Sequence, residues 1–356
     1  MYCSLLMIEA AEHANLPLMR TSQGIELPPF TPHRALTAGH LQTIVGNYWR
    51  RPHLDLKHVD EELLVDPSDG SRIRCRCHWQ PEDVRASRFT AVLVHGLEGS
   101  VNSGYIRGLT ARAWAMGWNV IRMNMRNCGG TEELTPTLYH SGLSCDVSAI
   151  LAHFGERYNL TRFGLIGYSM GGNLVLKTAG EWGAQRPLCA VAAVCPAVDL
   201  APGSDALHEP QNRAYEWHFL RGLMARFRRK AALFPQIYKT EGIGPVRSIR
   251  EFDNKILARY WGFRDADDYY FRAAAARVID GIRVPTLILQ AQDDPFIRLT
   301  DETRARILDN PAIHFVEPLH GGHCAFLARA QGEAVHWAEE QAIAWLAHVA
   351  RAHDLQ

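Results

Sequence analysis

The sequence predicts an α/β protein: a mostly parallel central sheet flanked by helices, with an inserted helical cap. Three observations carry this. Short, continuously apolar runs recur along the chain, as strands buried on both faces require. Segments with helical patterning lie between them, and that alternation implies a parallel sheet covered on both sides. The rhythm then breaks between about residues 197 and 284, where the composition is helix-rich and no strand pattern stands out.

The elements follow in order. Residues 1–60 read as an irregular N-terminal arm punctuated by Pro17, Pro28, Pro29, Pro32 and Pro52, because Pro cannot continue a helix or a central strand. Gly39–Trp49 is an island of order within that arm. Its expected role is to wrap the sheet edge. Glu62–Asp66 and Arg72–Trp79 flank the turn pair Asp69-Gly70 and form an expected hairpin. Buried strands are expected at Thr90–Val94, Asn119–Asn124, Phe163–Tyr168, Ala190–Cys195, Pro285–Gln290 and Ala312–Val316. Helices are expected at Tyr105–Met116, Cys145–Tyr158, Met170–Trp182, Asp301–Leu308 and Gln331–Ala350. The core thus spans 61–196 and 285–356, and the cap spans 197–284.

Composition narrows the function. Lys plus Arg is 38 and Asp plus Glu is 38, so the formal charge is zero. A nucleic-acid partner is not expected, since such binders need surplus cations to displace counterions. The eight cysteines are scattered without a C-x-x-C, which speaks against a zinc site or a disulfide framework. Reduced thiols fit a cytoplasmic location. Leu5–Ile8 is too short for a signal-peptide core, and no run of about 18 apolar residues appears, so no membrane span is expected. No H-E-x-x-H, Walker loop or G-x-G-x-x-G occurs, so no metal or cofactor is expected.

The chemistry sits in Gly167-Tyr-Ser-Met-Gly171, a match to G-x-S-x-G. By composition alone such a match arises in about one chain in ten of this length. Its setting is the required one: an apolar strand runs in and a helix runs out. The glycines let strand and helix approach closely around a nucleophile held in a strained turn. A serine hydroxyl needs a base. In this architecture the partners follow in the order Ser, acid, His. Asp293-Asp294 follows one late strand, and His320-Gly-Gly-His323 follows the next, both at the sheet edge of Ser169. Asp294 is favoured over Asp293 because it lies four residues beyond its strand and precedes a helix-initiating stretch. Asp293 would then hold the loop. His323 is favoured over His320 because Gly321-Gly322 frees the backbone to aim it. The oxyanion donors are expected to be the amides of Met170 and of Leu97, the latter in the loop His95–Ser100.

Seven motifs together resemble the α/β-hydrolase superfamily, and within it the YheT-like hydrolases and ABHD-type lipases and esterases. They are Gly39-His-Leu-Gln-Thr43, His95-Gly-Leu-Glu-Gly-Ser100, Arg126-Asn-Cys-Gly-Gly130, Tyr139-His-Ser-Gly142, Gly167-Tyr-Ser-Met-Gly-Gly-Asn173, Asp293-Asp-Pro-Phe296 and Gly321-Gly-His323. They stand in the family's order from about residue 30 to 345. The resemblance implies Ser169, Asp294 and His323 as a charge-relay triad, esterase-type hydrolysis and a cap before the acid loop. The family's substrates vary, so the expected acyl ester or lipid is not named by it, and thioester or amide cleavage on the same site, or ligand binding without catalysis, stays open. The membrane anchor of the eukaryotic relatives is not expected here.

Two stretches have plainer readings. Arg126–Thr131 and His140 read as a glycine-rich loop packed beneath the site, and Asp146 as a carboxylate suited to a helix start. Along Asn212–Lys230, Trp217, Leu220, Met224 and Phe227 recur at helical spacing among Arg213, Arg221, Arg226, Arg228, Arg229 and Lys230. This helix is expected to turn its apolar stripe to the core and its cations to water. The same basic face would suit peripheral contact with lipid.

Overall fold

A computed structural model describes residues 19–20, 26–51, 54–185, 187–329 and 334–354. The apolar Leu5–Ile8 stretch lies outside them. Eight strands form one sheet: β1 (Val59–Asp66), β2 (Ser71–His78), β3 (Thr90–Val94), β4 (Asn119–Met123), β5 (Phe163–Tyr168), β6 (Leu188–Val194), β7 (Thr286–Leu289) and β8 (Ile313–Val316). Their order is β1-β2-β4-β3-β5-β6-β7-β8. Strand β2 pairs antiparallel with both neighbours, and every pairing from β4 to β8 is parallel. This is the expected α/β class.

Side chains leave a strand alternately to its two faces. Accordingly Val92, Val94, Leu165 and Ile288 join one apolar cluster, and Ala91, Leu93, Ile166 and Leu287 join the other. The main helices are α1 (Gly39–Tyr48), α2 (Gly104–Ala115), α3 (Ser144–Tyr158), α4 (Met170–Trp182), α5 (Leu200–Leu207), α6 (Arg213–Leu233), α7 (Ala266–Ala273), α8 (Asp301–Asp309) and α9 (Trp337–Asp354). The first cluster takes Val147 and Ile150 from α3 and Leu174 from α4. The second takes Leu109 from α2 and Trp345 and Leu346 from α9.

Two expectations change. The helix expected from Gln331 begins at Trp337, and Ala334–His336 instead pairs antiparallel with Leu327–Arg329. Residues 331–333 fall outside the described set. The described part of the arm around Leu27–Phe30 packs elsewhere than expected. Leu27 is buried, and the Phe30 ring packs 5.5 Å from Phe326 and 5.4 Å from Trp337. It therefore lies on the segment that follows β8. The arm's partners are remote in sequence, whereas the new strand pairs with a segment only five to nine residues upstream.

Between β6 and β7 the described chain is helical. It contains α5, α6 and α7, and a segment that runs from Ile249–Phe252 through a π-helical turn, Asp253–Leu257, into Ala258–Trp261. On α6 the expectation of solvated cations fails for two of six. Arg226 is buried, its guanidinium on the Glu98 carboxylate at 3.1 Å. Lys230 is buried, its Nζ donating to the carbonyls of Glu132 and Thr135. Arg229 is exposed but pairs with Glu132 at 2.7 Å. Arg213, Arg221 and Arg228 face outward, beside an exposed Trp217. The pattern identifies a helix face but not what covers it.

Candidate active site

Ser169 sits between β5 and α4 with φ 55° and ψ −119°, outside the regions that L-residues favour. The turn is that tight because the backbones around it nearly touch. A Cβ added at Gly171 would lie 2.3 Å from the Val94 carbonyl oxygen, and one at Gly167 would lie 2.2 Å from the Gly171 carbonyl. No side chain fits either place. Met170 begins the helix, so its amide has no intrahelical acceptor.

The loop after β3 lies against the serine. The Gly96 amide donates to Tyr105 Oη at 2.9 Å, and the Glu98 amide to Tyr139 Oη at 3.3 Å. Leu97 lies between them, and its amide has no backbone or side-chain acceptor among the described residues. His95 fixes this loop from within. Its Nδ1 is 2.8 Å from the Gly96 carbonyl, and its Nε2 accepts from the Met125 amide at 3.1 Å. Burial lowers this imidazole to about 4, so it serves as a neutral acceptor.

Asp294 and His323 meet beyond β7 and β8. His323 Nδ1 lies 2.8 Å from Asp294 Oδ2. The other carboxylate oxygen accepts from the amides of Phe296 and Ile297, at 3.1 and 2.9 Å. Burial opposes charge on both groups, yet pairing wins. Asp294 is held below the usual carboxylate range, and His323 is raised to about 10. Asp293 does something else: its Oδ1 accepts from the Gly322 amide at 2.8 Å, and its Oδ2 lies 3.4 Å from His320 Nδ1. His320 is therefore not brought to Asp294. The Phe296 ring is 4.3 Å from the His323 ring and also lines the pocket that holds Ser169.

Ser169 Oγ makes no hydrogen bond to His323 among the described residues. The Nε2 atom instead lies 3.6 Å from Cys324 Sγ, whose own amide donates to Cys195 Sγ at 3.3 Å. Ligand atoms of Cys195, His323 and Cys324 lie within 4.8 Å of one another, the one such group among the described residues that could hold a metal ion.

The pocket beside Ser169 is lined by Leu97, Met170, Leu200, Phe219, Leu223 and other apolar side chains, with a few polar ones among them. Phe219 and Leu223 come from α6, so the helices between β6 and β7 form part of its wall. His140 lines it too, contrary to the plain packing role expected. Cys128 is fully buried, and burial pushes its thiol up to about 12, so it is no nucleophile.

Sequence reasoning missed the supports. Buried Gln42 of α1 donates to the Leu36 and Leu327 carbonyls at 2.7 and 3.1 Å and accepts from the Leu327 amide at 2.8 Å. Thr43 Oγ1 accepts from the His323 amide at 2.8 Å. Asp146 is more than a helix-start carboxylate. It forms a buried bidentate pair with Arg126, at 2.8 and 2.7 Å. The only signal in the sequence was that these polar residues fall inside otherwise apolar or glycine-rich motifs.

Comparison with known proteins identifies the family. A family model described as alpha/beta hydrolase fold matches residues 92–330. The Escherichia coli protein named "Putative esterase YheT" is 31% identical over 320 residues, 89% of this chain and 92% of that one. Mouse "Phospholipase ABHD3" is 29% identical over 271 residues, 74% of this chain and 66% of its own length. "Monoacylglycerol lipase" of Saccharomyces cerevisiae is 23% identical over 301 residues, 81% of this chain and 66% of its own. Among solved structures, 2,6-dihydroxy-pseudo-oxynicotine hydrolase superposes with a TM-score of 0.56 at 15% identity, covering 88% of this chain and 72% of that one, which speaks to fold alone. The chain belongs to the α/β-hydrolase family, in its esterase- and lipase-type branch.

Proposed function

We propose that this protein hydrolyses carboxylic esters through Ser169, His323 and Asp294. The observation that carries the reading is the 2.8 Å bond between His323 and Asp294 at the sheet edge where the turn after β5 presents Ser169. Ser169 Oγ attacks the ester carbonyl carbon and passes its proton to His323 Nε2. Catalytic hydrogen bonds are commonly long in free enzymes and tighten with substrate. The Leu97 and Met170 amides hold the oxyanion. The C–O bond to the alcohol breaks, and His323 gives its proton to the departing oxygen. Water then attacks the acyl-serine, its proton passes through His323 back to Ser169 Oγ, and the acid leaves. Asp294 stays ionised, fixing the imidazole tautomer and stabilising imidazolium.

The apolar pocket beside Ser169 takes the acyl group, and the helical cap of 197–284 covers it. Relatives named esterase, phospholipase and monoacylglycerol lipase support ester chemistry. Lipid contact through the cap rests on outward-facing Arg213, Arg221 and Arg228 and on Trp217, whose ring carries Arg221 at 5.1 Å.

The test is labelling with a fluorophosphonate probe, followed by peptide mapping. Label on Ser169 in the wild type, absent from Ser169→Ala, supports the reading. A well-folded wild type that stays unlabelled overturns it and leaves a ligand-binding member of the fold.

A further inference from the structure

The pocket beside Ser169 carries a polar cluster that ester cleavage does not use. Asp253, on the π-helical turn, lines it and is 7% exposed. Its Oδ2 accepts from Tyr270 Oη at 2.7 Å, and that phenol also lies 2.9 Å from Ser204 Oγ. No protein donor among the described residues reaches Oδ1. Among the described residues no cation pairs directly with the carboxyl, and the Arg250 charge only partly offsets burial. The nearby Arg250 stacks on the Tyr270 ring at 5.1 Å and spends its hydrogen bonds on Asp205 and Asp267. Burial raises this carboxyl to about 7.

His140 supplies the complement. Its Nδ1 accepts from the Gly142 amide at 2.9 Å, so in the neutral ring the proton is on Nε2. Burial lowers the imidazole to about 3, which keeps it neutral. Rings of Trp261, Phe263 and Tyr269 surround it edge-on, and none offers Nε2 a hydrogen-bond acceptor. The pocket therefore contains an open acceptor and an open donor on an otherwise apolar wall. A hydrogen-bonding atom that opens onto an apolar pocket without a protein partner is free to pair with a polar group of a ligand.

We propose that the acyl group taken by this pocket carries a hydroxyl that donates to Asp253 and accepts from His140. A hydroxyl has both the proton that the Asp253 carboxylate accepts and the lone pair that the His140 N–H needs, whereas an ammonium has no lone pair. The inference rests on the ester-hydrolase reading and names its substrate class.

The test compares p-nitrophenyl esters of unbranched acids, four to ten carbons long, each with and without a terminal hydroxyl, plus a terminal-amine series. At the length that reaches Asp253, wild type should favour the hydroxylated ester about 10²-fold or more in kcat/KM, since sites built around a substrate hydroxyl reject analogues that lack it. That ratio should fall to near one in Asp253→Ala and drop at least tenfold in His140→Phe. Because each ratio is taken within one variant, losses from folding cancel. Thermal melts by circular dichroism show which variants fold, and the wild-type ratio needs no variant. Equal or faster turnover of the plain esters at every length overturns the proposal while ester cleavage stands. Faster turnover of the amine series overturns it in favour of a cationic substrate. If no ester turns over and Ser169 takes no fluorophosphonate, the ester reading fails and this inference falls with it.

Discussion

Arg226, on the helix that walls the pocket, grips the Glu98 carboxylate with two nitrogens, at 3.1 and 3.2 Å, on the loop that lies against Ser169. Glu98 also accepts from Tyr139 Oη at 2.7 Å. One ion pair thus joins the insertion between β6 and β7 to the loop expected to hold the oxyanion. Arg226→Ala should cost about 1–3 kcal/mol of stability, because the half-buried Glu98 carboxylate loses its cation. Glu98→Gln/Arg226→Met should be less destabilised than Arg226→Ala. Urea unfolding of the variants checks both, and equal losses would show the pair contributes nothing beyond its parts.

The Asp294 carboxylate should govern the pH profile. A protonated His323 cannot take the Ser169 proton, so kcat/KM rises with pH as the imidazole loses its proton. Asp294 raises His323 to about 10. In Asp294→Asn the acid limb should therefore move to lower pH, with kcat reduced about 10⁴-fold. The stability sign is the opposite. A group raised above its ordinary 6.5 stabilises the fold fully below that value and loses the contribution as pH climbs toward 10. Rate profiles and melts across pH 5–10 would read both (range chosen to span about 6.5 to 10).

Gly39 should matter to a residue it never touches through a side chain. A Cβ there would sit 2.0 Å from the Asp293 carbonyl oxygen. Gly39→Ala must push away the strand-end loop that carries Asp293 and Asp294. A shift of about 1 Å at a reacting group can cost about 10²-fold in rate. The expected result is that loss in kcat/KM with fluorophosphonate labelling slowed in parallel. Unchanged kinetics would mean the loop yields freely.

Lys230 and Arg228 differ by two positions on one helix and should behave differently. Lys230→Met leaves the Glu132 and Thr135 carbonyls without their donor and should cost about 1–3 kcal/mol. Arg228→Ala, exposed, should stay within about 0.5 kcal/mol. Thermal melts separate them. A vesicle-binding test of the basic face should therefore use Arg221 and Arg228 and leave Lys230 in place.

Much of the fold was legible because its signals are local. Thr90–Val94 and Phe163–Tyr168 are nearly all apolar and buried at every residue, as a strand covered on both faces requires. Loop position brought an acid and a histidine to the edge of Ser169 but left Asp293 against Asp294 and His320 against His323 as preferences; the structure pairs Asp294 with His323. The supports were not legible. Gln42 acts on Leu327, Thr43 on His323, Arg126 on Asp146 and Arg226 on Glu98, and no periodicity links residues so far apart. Arg226 and Lys230 read as solvated because charge on a helix names the face and not its neighbour. The strand at Ala334–His336 was missed for another reason: it is three residues long, too short for an alternating pattern, and its ladder with Leu327–Arg329 sets it.

The bond between Thr43 and His323 spans 280 residues of sequence, and those between Gln42 and Leu327 span 285. Contacts that distant close last, after the loop entropy between them has been overcome. All eight sheet strands lie between these two anchor points. The sheet can therefore assemble before the imidazole loop is pinned, and competence becomes a late event in folding. In refolding experiments far-UV signal should recover ahead of fluorophosphonate reactivity. A chain begun at Val59 would retain every strand of the eight-stranded sheet yet lack the clasp on the His323 loop.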